Sequence, residues 1–193
     1  MNNKSYGWAL ILLLLIFGIA AIFAYQRNHA RTAALPVVTD LAVYPNDTYG
    51  YSFYYAPEYT VRVASEDTVL IGMMAGTRFD AFAEAKVATS SDSSGSYDDF
   101  VLTSLRTLCA CTDTPTKTVY TNEAGLVGAE YALNGSAGTT IGPVYAFNIG
   151  GNVTDAKYAA LLVYRPLDAT GATEGLRAEN LAGTVDIHKA INR

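Results

Sequence analysis

The sequence predicts an α+β fold, an antiparallel sheet with two helices packed on it, preceded by one N-terminal transmembrane helix. Three observations carry this expectation. An uncharged apolar run opens the chain, segments of strand-like alternation begin near Tyr49, and two segments of helical spacing follow Ser96 and Thr173. The expected organisation is a short tail over 1–7, an anchor over 8–25, a tether over 26–40 and a folded domain over 41–193.

The anchor rests on the stretch between Lys4 and Arg27, which holds no charged residue. As a helix, the run from Trp8 to Tyr25 would extend roughly 27 Å, close to the thickness of a bilayer's hydrocarbon core. Trp8 and Tyr25 stand at its ends, where aromatic rings favour the interface. A cleavable signal peptide is the rival reading. The run is longer than a usual signal core, and Ile22-Phe23-Ala24 is a mediocre cleavage site. No Cys follows the run for lipid attachment. Lys4 on one side and Arg27 with Arg31 on the other leave the charge rule for orientation undecided.

The tether over 26–40 leads into the strands. Tyr49, Tyr51, Phe53 and Tyr55 alternate with Gly50, Ser52 and Tyr54, the period of a half-buried strand with Tyr51 and Phe53 inward. Pro57 ends it. Further strands are expected at Thr60–Val63, Thr68–Met74, Phe82–Thr89, Thr116–Tyr120, Leu126–Leu133, Thr140–Ile149 and Tyr158–Arg165. In Phe82–Thr89, Glu84 and Lys86 should face water while Ala83, Ala85 and Val87 face inward. Clusters of Asn, Gly, Ser and Asp separate these segments, as turns require.

Ser96 with Asp99 has the pattern of a reciprocal helix cap, and Tyr97, Val101, Leu105 and Leu108 follow as one apolar stripe. A second helix is expected from Thr173 to about Ala182, packing Leu176 and Leu181, with Gly183 as its stop. Thr184–His188 reads as a final short strand.

Charge narrows the function classes. From Asp40 onward, eighteen acids face ten bases, a net of −8. Such a domain is a poor partner for nucleic acid, which needs clustered Lys and Arg. Two histidines, His29 in the tether and His188 near the end, do not suffice for a triad or a His-rich metal site. His188 reads as a surface residue. The glycines form no phosphate loop, and Asp92–Asp98 lacks the ligand spacing of a calcium loop. No catalytic, metal or cofactor residues are expected, and the domain is read as a non-enzyme.

Two features remain. Fourteen tyrosines, six of them between Tyr44 and Tyr59, make either a sticky binding surface at Tyr49, Tyr54, Tyr55 and Tyr59 or simply an aromatic-rich strand. Cys109 and Cys111, the chain's two cysteines, could form a disulfide, stay as buried thiols, or serve redox or metal chemistry. A bond between them requires the helix to end at about Leu108, since residues two apart on a helix point to nearly opposite sides. Asn46, Asn134 and Asn152 each head an Asn-x-Ser/Thr sequon, relevant in a eukaryotic secretory pathway.

The segment Tyr49-Gly-Tyr-Ser-Phe-Tyr-Tyr-Ala-Pro-Glu-Tyr-Thr-Val resembles the opening strands of PsbP-like and DcrB-like domains. In those, a Gly-aromatic-Ser-aromatic strand runs into a Pro and then an aromatic residue. The order of elements over roughly 45–190 is also similar. The chain departs from the pattern where Ala56 separates Tyr55 from Pro57 and where Tyr59 replaces the usual Trp. The resemblance implies an envelope or thylakoid module for binding or assembly, on the extracytoplasmic side, with a protein partner and no cofactor. It carries over no functional residue. The alternative is a thiol-dependent redox or metal-handling envelope protein using Cys109 and Cys111.

Overall fold

A computed structural model describes residues 41–92, 94–109, 114–133, 143–166 and 173–190, with side chains excepted over 173–177. The expected anchor and tether, and Cys111, lie outside the described residues. Among the described residues no helix is long and apolar enough to cross a membrane.

Among the described residues the domain has ten strands, two α-helices and one 3-10 turn. The strands are β1 (Ala42–Asn46), β2 (Tyr51–Tyr55), β3 (Thr60–Ser65), β4 (Thr68–Ala75), β5 (Arg78–Ser90), β6 (Thr116–Thr121), β7 (Val127–Ala132), β8 (Val144–Asn148), β9 (Tyr158–Tyr164) and β10 (Asp186–Ile187). The helices are α1 (Tyr97–Cys109) and α2 (Thr173–Gly183), and the 3-10 turn spans Gly150–Asn152.

The expected α+β class holds, with one difference: there are two antiparallel sheets. Seven strands run in the order β3-β4-β5-β9-β8-β7-β6, and β1-β2-β10 form a separate sheet. Alternation in the central strands explains the layering. In β9, Ala159, Leu161 and Val163 face one core, and Ala160, Leu162 and Tyr164 face the other. The first core is closed by Tyr51 and Phe53 of the small sheet and by Ala178, Leu181 and Ala182 of α2. The second is closed by Val101, Leu105 and Cys109 of α1. A strand buried on both faces reads as a continuous apolar run, as Tyr158–Tyr164 does.

Strand β1 has no counterpart in the sequence reading, because Pro45, Asn46 and Asp47 read as turn chemistry. Pairing with β2 overrides that local preference, and Pro45 is tolerated because β1 is an edge. In β5, the register against β4 slips between Ile71 and Gly72, which leaves Phe82 as an extra residue. Phe82 and Ala83 can thus both enter the first core, and Phe82 meets Tyr59 edge-on at 4.7 Å. Glu84 and Lys86 are half-buried, not open to water: Glu84 accepts a 2.6 Å hydrogen bond from Tyr164.

The cap of α1 matches its expectation. Ser96 Oγ accepts from the Asp99 amide at 3.2 Å, and Asp99 Oδ2 accepts from the Ser96 amide at 3.0 Å. The buried stripe runs Val101, Leu105, Cys109, with Leu108 at its margin, since four-residue steps keep closest to one side. The helix reaches Cys109, one residue past the expected end. In α2, Leu181 packs as expected, while the Leu176 side chain lies outside the described residues. Gly183 is the last helical residue; it is not among the glycines with positive φ.

Candidate binding surfaces

The four tyrosines singled out by sequence do not share one exposed face. Tyr49, Tyr55 and Tyr59 are half-buried and pack against the first core. Tyr54 alone is exposed, because the pleat that sends Tyr51 and Phe53 inward sends Tyr54 out. Its cross-strand partner is Val43, and Leu41 lies two residues earlier with the same parity. All three are exposed. The Thr184 hydroxyl fixes this edge, accepting from the Tyr54 amide at 3.1 Å and donating to its carbonyl at 2.8 Å. Leu41 and Val43 were missed with β1 itself; the signal that could have found them is their alternation with Tyr44 and Asn46.

A second surface lies at β6, an edge of the large sheet with β7 as its one neighbour among the described residues. Val119 is 79% exposed and Val127 63% exposed. Both lie on the face that α1 covers further in, since Val119 is opposite Ala129 of the second core and Val127 is two residues from it. Lys117, the one charge in β6, is drawn towards α1 by a 2.6 Å ion pair with Asp98. The edge is therefore left without a free charged residue of its own.

The opposite face of β6 is aromatic and acidic. Tyr120 stands 4.7 Å from the Tyr145 ring. Burial, followed by the charges of Glu179, Glu123 and Glu130, pushes the Tyr120 phenol up to about 12. The next turn is tied down firmly: Asn122 donates to the Val185 carbonyl at 2.6 Å and accepts from the Leu126 amide at 2.8 Å. This end of the sheet bears valines on one side and carboxylates on the other.

At the tip of the β4–β5 hairpin, Met73 and Met74 are exposed, and the Arg62 guanidinium lies 4.3 Å from the centre of the Phe79 ring. The remaining sequence candidates are more confined. Cys109 is 1% exposed, within the second core, and carries no free thiol. His188 is half-buried, unlike the surface residue expected; its amide donates to the Gly50 carbonyl at 2.9 Å. Asp92 accepts from the Ser94 amide and hydroxyl, each at 2.8 Å, and so closes its own loop.

No family model and no curated protein matches the chain. It is similar to the solution structure of cyanobacterial PsbP (CyanoP) from Synechocystis sp. PCC 6803. The identity is 14%, over 81% of this chain and 98% of that one, with a TM-score of 0.43. A solved structure from Bacteroides thetaiotaomicron VPI-5482 matches at 11% identity over 72% of this chain, with a TM-score of 0.34. The chain spans 46% of that second protein.

Proposed function

We propose that the chain is a membrane-anchored extracytoplasmic module that binds a protein partner, or assembles with it, through the edge strand β6. The observation that carries this reading is the edge position: Val119 stands 79% exposed on a strand with one neighbour among the described residues. An edge of this kind offers unpaired backbone donors and acceptors, and proteins that avoid pairing protect such strands with charge, proline or a bulge. In β6 the protecting lysine is engaged by Asp98. An extended partner segment can add a strand here, its backbone supplying affinity and its alternate side chains supplying specificity. Apolar residues would lie beside Val119, and basic ones on the side of Glu123, Glu130 and Glu179.

Anchoring is argued from the apolar run Trp8–Tyr25, and the extracytoplasmic side from the family resemblance. The thiol reading gains no comparable support, since the Cys109 sulfur is enclosed by the second core.

The test is affinity purification of the detergent-solubilised full chain, with partners identified by mass. A Val119→Lys variant should lose the principal partner while keeping its denaturation midpoint, because the side chain is almost fully in water. Retention of that partner by the variant overturns the β6 reading.

A further inference from the structure

We infer that the strand docking on β6 is β3 of a second copy of this chain, laid antiparallel and turned over, so that copies join head to tail. The inference rests on the β6 reading above and deepens it by naming the partner.

The first argument is that the large sheet has two edges of one kind. Strand β3 has β4 as its one neighbour among the described residues, and its Val63 is 64% exposed, the counterpart of Val119 on β6. Neither strand holds a proline, and each holds one charged residue, Arg62 in β3 and Lys117 in β6. The register of β3 slips only after Val63, so Thr60–Val63 is regular. Edges with so little protection are templates for an added strand.

The second argument is the match of faces. Six antiparallel pairings lead from β3 to β6, so the two edge strands run in the same direction. For β3 of one copy to lie antiparallel to β6 of another, the added copy must be turned over, which exchanges the two faces of its sheet. Val61 packs against the first core, so Val63, two residues on, lies on that side. Val119 lies on the side of α1. Turning one copy over brings the two exposed valines onto one side. At the register that sets Val63 opposite Val119, Arg62 falls opposite Tyr120.

Charge complementarity is the third argument. Tyr120 stands among the charges of Glu179, Glu123 and Glu130. Arg62 is exposed and has no carboxylate partner among the described residues; its guanidinium donates to the Met74 sulfur at 3.5 Å and lies over the Phe79 ring. Opposite Tyr120 it would exchange a weak sulfur acceptor for carboxylates and keep an aromatic neighbour. The other pairings set like charges together. Antiparallel β6 on β6 gathers two sets of carboxylates on one side, and β3 on β3 gathers two Arg62 side chains. Parallel β3 on β6, with neither copy turned, puts Arg62 on the side of Lys117. Like charges brought together across an interface oppose it. The inverted β3–β6 pairing sets valine by valine and guanidinium by carboxylate.

Such a contact uses β3 of one copy and β6 of the next, so it leaves a free edge at each end and growth continues. One strand pair is a small interface, which makes the association dependent on concentration. Sedimentation of the full chain in density-matched non-ionic detergent provides the test. Wild type should grow in mass with concentration beyond two copies. Val63→Lys and Val119→Lys, both at exposed positions, should each stay monomeric alone. Mixed in equal amounts they should form a pair that grows no further, because one supplies an intact β6 and the other an intact β3. Arg62→Glu should raise the concentration at which growth begins, and reads the same contact should either lysine variant fold poorly; unchanged growth overturns the inference. Val63→Lys forming a closed pair by itself assigns the contact to β6 on β6 and overturns the head-to-tail pairing. A wild type that stays monomeric, with Val119→Lys losing a different protein in affinity purification, overturns this inference and leaves the β6 reading standing. Val119→Lys that associates as wild type does and keeps its principal partner overturns both.

Discussion

The carboxamide nitrogen of Asn152 donates to the carbonyl of His188 at 2.8 Å, fastening the C-terminal segment to the 3-10 turn. The same nitrogen reaches the carbonyls of Tyr49 and Gly50 at 3.1 and 3.2 Å, and the amide oxygen accepts from Ala190 at 3.3 Å. One side chain thus joins three segments far apart in sequence. Gly50 permits it: its φ is +66°, and a Cβ there would run into Asn152 and His188.

Asn152→Ala should cost about 1–3 kcal/mol, the range for leaving buried partners unsatisfied. Asn152→Asp should cost more, because an acceptor would then face three carbonyls. The urea midpoint of each variant checks this; an unchanged midpoint would mean that the C-terminal segment is held by other contacts.

The same geometry bears on the sequons. The Asn46 nitrogen donates to the Tyr51 hydroxyl at 3.2 Å, and Asn46 is buried. A glycan on Asn46 or Asn152 is incompatible with these contacts. Folded protein recovered from a glycosylating secretory host should therefore carry none at either position, as peptide mass mapping would show. A folded, glycosylated Asn152 would refute the fastening described above.

Acid should weaken the domain in a defined window. Hydrogen bonds from Ser96 hold the Asp99 carboxyl below the usual value of 3.8, and the Ser65 hydroxyl does the same for Asp67. The unfolded chain therefore takes up these protons first as pH falls. The stability they lend is complete above about pH 4 and disappears as pH drops through the folded values. Ser96→Ala should cost about 0.5–2 kcal/mol at neutral pH. It should also flatten the acid limb of a stability-versus-pH curve; a limb of unchanged slope would assign acid sensitivity elsewhere.

Alkali acts by the opposite sign. Burial raises the phenols of Tyr51, Tyr97, Tyr145 and Tyr164, and pushes those of Tyr120 and Tyr131 up to about 12. The fold favours the neutral form, so this contribution is whole below pH 10 and is lost as pH rises through the folded values. Phenolate absorbance should show a late, cooperative group of tyrosines titrating together with unfolding. A single ordinary titration in folded protein would contradict the burial.

The pairing of Cys109 with Cys111 stands as a proposal. Cys109 is the last described residue of helix α1, and Cys111 lies outside the described residues. Protein purified without reductant should weigh two hydrogens less than the reduced chain, and should lose little stability on mild reduction, since so small a ring restrains the unfolded chain little. Two thiols that label in the native protein would exclude the bond.

Most elements were legible in the sequence because each obeys a local period. The Tyr51–Tyr55 alternation, the Ser96–Asp99 cap and the Val101–Leu105 spacing belong to short stretches of chain, where backbone geometry alone decides which side chains share a face. What sequence could not reach depends on pairing at a distance. Strand β1 exists because β2 supplies its hydrogen bonds, against the turn preference of Pro45 and Asn46. The separation into two sheets follows from which apolar faces meet across the cores, a choice made between residues more than a hundred positions apart, as Phe53 with Ala182. The surfaces were hidden for the same reason. Tyr54 and Tyr55 are the same residue type side by side, and only the sheet's orientation over the core sends one to water and half-buries the other. Val119 reads as an ordinary strand valine until the strand order makes β6 an edge. Local sequence determined the elements and their inward faces; tertiary packing decided which outward faces were left uncovered, because exposure is fixed by neighbours that the local chain does not contain.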